Sequence, residues 1–178
     1  MTAPLRPHPP AAVAAWPLPA TAFVPGRDPR PEEGLFITVA DRAPARTDPA
    51  TWQTNEAWLY GFRLYGGGFF WEAHEVWEPV WMGAAPNGAE RHLVQGLIQL
   101  ANACLKLRME RRRAALRLVR DAGLRLAEAG PAPRMGVAPA LVLAATCGFA
   151  LRIEAHGEDD LTTLLQARPD LTVCVSVL

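Results

Sequence analysis

From Thr51 onward, apolar residues recur every three or four positions, the spacing of one face of an α-helix. Trp52, Trp58, Leu59, Phe62 and Tyr65 predict a first helix over residues 52–65, ended by Gly66-Gly67-Gly68. A second helix follows over 69–81, with Pro79 placed to kink or stop its last turn. Residues 84–88 read as a loop, 89–108 as a third helix, and 111–129 as a fourth, stopped by Gly130-Pro131. Pro139 opens a fifth helix reaching His156, and 159–167 forms one more short helix. Two segments read as strands: Leu35–Val39, and the alternating Thr172–Val177, whose pairing partner stays open. The pattern predicts an all-α fold, a compact bundle of about five helices. Helices one, two and three form its centre, helix four packs antiparallel to helix three, and helix five closes the core.

Prolines change the reading of the N-terminal region. Residues 1–50 hold most of the 17 prolines, so they form an extended, partly disordered arm lying over a bundle at 51–158. Residues 159–178 make a C-terminal extension with the strand. Met1–Pro19 lacks the apolar core of a signal peptide. The longest apolar run, Met135–Leu151, is interrupted by Pro139 and two glycines and falls short of the ~20 residues of a membrane span. A buried helix accounts for it. The expected location is cytoplasmic, with no membrane partner.

Formal net charge is zero, so no global field draws the chain to nucleic acid or lipid. Lys106 is the only lysine among 18 basic residues, a compositional bias rather than a function. Cys104, Cys147 and Cys174 lie far apart on apolar segments, which suits core thiols better than a disulfide framework or a zinc knuckle.

The chemistry concentrates in residues 72–81. His74, Glu78 and Trp81 are spaced by four and three, which brings them to one helix face. On a helical wheel with Phe70 at zero, Trp81 falls near 20°, His74 near 40° and Glu78 near 80°. His74 then sits within a core-facing stripe, while Glu75 and Glu72 point away at about 140° and 200°. Three readings stay open. His74 and Glu78 satisfy each other structurally, or ligate a divalent ion with a further carboxylate, or transfer protons with Glu78 orienting the imidazole. Further ligands would come from Glu75, Glu72, Glu56 or His92.

The third helix carries His92, Gln95, Gln99, Asn102 and Lys106 in one narrow stripe. Uncharged hydrogen-bonding groups suit a half-buried cleft, where a charge would be costly to desolvate. Gln95 and Gln99 are therefore candidates to orient substrate or water, with Trp81 as a wall. The fourth helix and its entry are rich in arginine, from Arg108 to Arg125, but Ala115, Leu116, Val119, Ala122 and Leu126 give it an ordinary core face. A solvated face is favoured over nucleic-acid binding.

The run from Phe69 through Trp81, then Glu90-Arg91, then Leu93-Val94-Gln95-Gly96-Leu97-Ile98-Gln99-Leu100, resembles the "domain of unknown function 309" family. That family is marked by a His-x-x-x-Glu-x-x-Trp motif followed by a Gln-Gly-Leu-Ile-Gln helix. The resemblance covers about residues 55–126. It implies a compact all-helical fold and a motif suspected of binding metal, with no known reaction. The motif positions are His74, Glu78 and Trp81, with Glu72, Glu75, Gln95 and Gln99 around them. Pro79 departs from the pattern, where a Glu or another helix former is expected, and bears on the angle of Trp81. The stretch from Leu18-Pro19 to Pro25-Gly26 resembles an extension found in some members.

Two functions are expected. One is a divalent-metal-dependent hydrolase or an acid/base enzyme, with His74 and Glu78 catalytic and His74, Glu78 and Glu75 as metal ligands. The alternative is a non-enzymatic binding or assembly module whose aromatic cleft holds a small molecule or another copy of the chain.

Overall fold

The computed structural model describes residues 15–155 and 161–171. Its helices are α1 (Leu35–Asp41), α2 (Glu56–Gly66), α3 (Phe70–Gly83), α4 (Ala89–Arg108), α5 (Arg112–Glu128), α6 (Pro139–Ala155) and α7 (Leu161–Gln166), with a 3-10 helix at Pro49–Thr54. The fold is all-α, and the described residues form no strand beyond an isolated bridge between Arg134 and Val137. The expected strand at Thr172–Val177 lies outside the described residues.

Residues 35–39 are helical, not a strand. Phe36 and Val39, three apart, both bury against the bundle. A lone strand would have left its backbone donors without partners, so the helix wins despite three β-branched residues. The expected first helix is also divided. Asn55 adopts an extended conformation and its Oδ1 accepts from the Trp58 N–H at 3.0 Å, which starts α2 anew after the 3-10 turn. The glycine stop holds: Gly68 takes a φ of 84°, open to glycine at little cost.

The core is aromatic. Trp58, Phe62, Tyr65, Phe70 and Trp77 from α2 and α3 meet edge-on or tilted, with Trp58 and Phe62 rings 4.8 Å apart. Buried indoles need acceptors, and both have them: Trp77 Nε1 donates to the Trp58 carbonyl at 3.1 Å, and Trp58 Nε1 to the Met135 carbonyl at 3.0 Å. Tyr65 and Cys104 meet at 3.8 Å, and burial pushes the Cys104 thiol up to about 12.

Helices α4 and α5 form an antiparallel hairpin. Glu128 at the end of α5 lies 3.0 Å from His92 near the start of α4. Gly96 permits the close approach, since a Cβ there would meet the Leu126 Cγ at 2.8 Å. Helix α6 packs on α5 through Val142, Thr146, Phe149 and Ile153. The expectation of a buried helix here is half right: Leu141 and Leu151 are 56% and 66% exposed, and Cys147 is exposed rather than a core thiol. No helix of the described residues is long and apolar enough to cross a membrane.

Residues 16–34 lie across α2 and α3 as a strap. Arg63 Nε donates to the Trp16 carbonyl at 2.7 Å, and the Tyr60 hydroxyl to the Pro17 carbonyl at 2.6 Å. Phe23 and Val24 are buried, and Phe23 stacks edge-on against Trp71 with ring centres 4.6 Å apart.

Candidate metal centre on the third helix

Helix α3 sets the site through its two unlike sides. Phe70, Ala73, Val76, Trp77 and Val80 are buried. On the wheel, that arc centres near 300°, not near His74 at about 40°. His74 therefore lies on the flank of the helix, with its side chain 25% exposed, beside Glu75 at 23%. Glu78, one turn on, is exposed.

These three side chains meet. One ligand atom from each of His74, Glu75 and Glu78 falls within 4.8 Å of the other two. His74 Nδ1 lies 3.4 Å from Glu75 Oε1 and is buried with no hydrogen-bond partner. Glu75 was expected to point away on the wheel yet reaches the imidazole, because adjacent side chains on a helix flank can bend toward each other. Its other neighbour is Arg30 of the strap, 3.5 Å away and largely exposed. Pro79 neither stops α3 nor splays the pair. Having no N–H, it leaves the Glu75 carbonyl without its usual helical donor, on the same turn as the three side chains.

The C-terminal end of α3 is held from outside. Thr47 Oγ1 donates to the Val80 carbonyl at 2.8 Å and the Thr47 N–H to the Gly83 carbonyl at 2.9 Å. Arg91 donates to the Trp81 carbonyl at 2.8 Å and lies over the Trp81 ring at 4.2 Å. Among the described ring contacts and hydrogen bonds, Trp81 thus meets Arg91 rather than His74 or Glu78. Gln95 and Gln99 are half-buried on α4, and neither amide hydrogen-bonds to His74, Glu75 or Glu78 among the described residues. His92 faces α5 through Glu128.

Glu72 reverses its expected place. The wheel turned it away, yet it is 1% exposed because the strap and α1 close over it. Its Oε1 accepts from the Phe23 N–H at 2.8 Å. Burial raises its carboxyl above the ordinary range; the Phe23 N–H and the Arg108 guanidinium pull downward, and Glu75 adds to the rise. Tyr60, beside it, is raised as well, first by burial. Nothing in the local spacing marks Glu72 or Arg30 for these places, since both depend on how the strap lies.

Of the arginines, Arg112 donates to the carbonyls of Ile153 and Glu154 at the end of α6, Arg120 pairs with Glu154 at 2.6 Å, and Arg125 pairs with Glu128 at 2.7 Å.

Residues 58–118 match the family described as "Domain of unknown function (DUF309)". No curated protein matches the chain, and no solved structure does.

Proposed function

We propose, for a chain that carries a DUF309 domain over residues 58–118, that α3 holds a divalent cation used for hydrolysis. The observation that carries this reading is the approach of His74, Glu75 and Glu78 to within 4.8 Å. One imidazole and two carboxylates are a donor set suited to zinc, manganese or iron, and three protein ligands leave positions for water and substrate. The donor chemistry fits: His74 Nδ1 is buried without a hydrogen-bond partner, and the Glu75–Arg30 pair is long enough to give way. An ion there would supply Lewis-acid polarisation of a substrate oxygen. His74 and Glu75, both half-buried, hold the fixed side of the site. Glu78, exposed one turn away, completes the donor set on the solvent side, where water and substrate enter. Trp58 and Trp77 are wholly buried, so these two indoles serve the core rather than a binding cleft.

Untagged protein, purified without chelator and titrated calorimetrically with Zn²⁺ and Mn²⁺, tests this. About one equivalent should bind, and His74→Ala and Glu78→Gln should each weaken binding at least about tenfold. Equal binding by wild type and both variants would overturn the site. Metal binding with no turnover of any phosphoester, carboxylic ester or amide in a broad panel would overturn the hydrolase assignment and leave a metal-stabilised binding module.

A further inference from the structure

Beneath the strap, between residues 17–21, the start of α1 and the outer faces of α2 and α3, lies a cavity of about 310 Å³. It is at the small end of the range for ligand pockets. Its walls are proline and aromatic, from Pro17, Pro19, Pro31, Phe36 and Tyr60, and Glu72 forms its one buried acidic group. Among the described residues no lysine, arginine or histidine lines it.

Glu72 is the informative member. It is 1% exposed, and its Oε1 is fixed by the Phe23 N–H at 2.8 Å. Its Oε2 is buried and has no hydrogen-bond partner. Buried polar atoms are normally satisfied, so an orphan oxygen on a residue that lines the cavity asks for a donor. The described residues supply none: Arg108, whose charge reaches Glu72, commits its Nη1 to the Gly68 carbonyl at 2.7 Å and its plane to the Phe70 ring. The Tyr60 hydroxyl gives its proton to the Pro17 carbonyl and offers only lone pairs to the cavity. Glu33, exposed at the rim, adds a second carboxylate. Acceptors and negative charge on apolar walls exclude an anion and favour a donor-bearing cation with a short hydrocarbon body.

We propose that this cavity binds a small primary ammonium compound, which donates to Glu72 Oε2 and lays its carbon chain against Phe36 and the prolines. The site is separate from the His74 group, and its occupancy does not depend on a metal ion.

The full chain is titrated calorimetrically with n-propylammonium, isobutylammonium and putrescine, each compared with the alcohol or diol of matching size. The ammonium compounds should bind saturably and at least about tenfold tighter than their neutral counterparts, and Glu72→Gln should erase that preference. His74→Ala should retain it, which separates this site from the metal centre. A second readout needs no variant: in the wild type, the Phe23 amide NMR resonance, tied to Glu72, should shift with the same saturation curve. Absence of saturable binding up to about 10 mM, equal binding of amine and alcohol, or an unmoved Phe23 resonance each overturns the proposal. So does amine preference that survives in Glu72→Gln.

Discussion

Gly61 shows how a single residue controls the packing behind the site. A Cβ at this position would lie 2.1 Å from Trp77 Nε1, an indole that is fully buried and fixed by its bond to the Trp58 carbonyl. Gly61→Ala must therefore move the indole or separate α2 from α3. Overpacking of this kind destabilises by about 1–3 kcal/mol, and the tethered indole argues for the upper end. Urea unfolding should show a lower midpoint with an unchanged slope; an unchanged midpoint would mean the helices separate freely. The same scale explains what was readable in the site. The juxtaposition of His74 and Glu78 follows from helix geometry alone, so it was legible in the sequence. Which side of α3 is wet does not follow, because it depends on cover from other elements. Phe70 and Trp81 bias the wheel toward His74, but the Trp81 ring packs under Arg91 at the edge of the core, and the true core arc includes Glu72, hidden by the strap.

At the scale of elements, α4 runs from Ala89 to Arg108, as the spacing of its leucines predicts. Its ends are marked by Gly88 and by a turn at Glu110 with a φ of 59°, both local signals. In α1 the β-branched run is a local signal for a strand, and burial of Phe36 and Val39 overrides it. Pro79 is a subtler case. A proline in a helix interior costs about 3 kcal/mol relative to alanine, yet α3 continues to Gly83. Its last turn is tied down by Thr47 and Arg91, which satisfy carbonyls of Val80, Trp81 and Gly83 from outside. Pro79→Ala should restore the bond to the Glu75 carbonyl and raise stability by about 2 kcal/mol, read as a higher melting temperature. If that carbonyl contributes to the metal centre, Pro79→Ala should also weaken Zn²⁺ binding while stabilising the fold, two opposite effects that a merely structural proline would not produce.

At the scale of the whole molecule, the strap and the helices share one core. Phe23, Val24, Phe36 and Val39 are buried, and three of them belong to the same cluster as Trp58, Trp77 and the leucines of α4. A peripheral arm would instead touch the bundle through exposed polar contacts and come away alone. The distinction is measurable at Phe23, whose ring packs on Trp71 and whose N–H holds Glu72. Phe23→Ala removes a buried ring and leaves a cavity, a loss of about 3 kcal/mol for a well-packed phenylalanine. In a single cooperative unit, that loss is felt everywhere. The near-ultraviolet signal of the Trp58–Trp77 cluster should therefore lose its structure at a lower urea concentration, in step with the far-ultraviolet helix signal. If the strap unfolds independently, the tryptophan transition stays at its wild-type midpoint and the chain divides into an arm and a self-sufficient bundle.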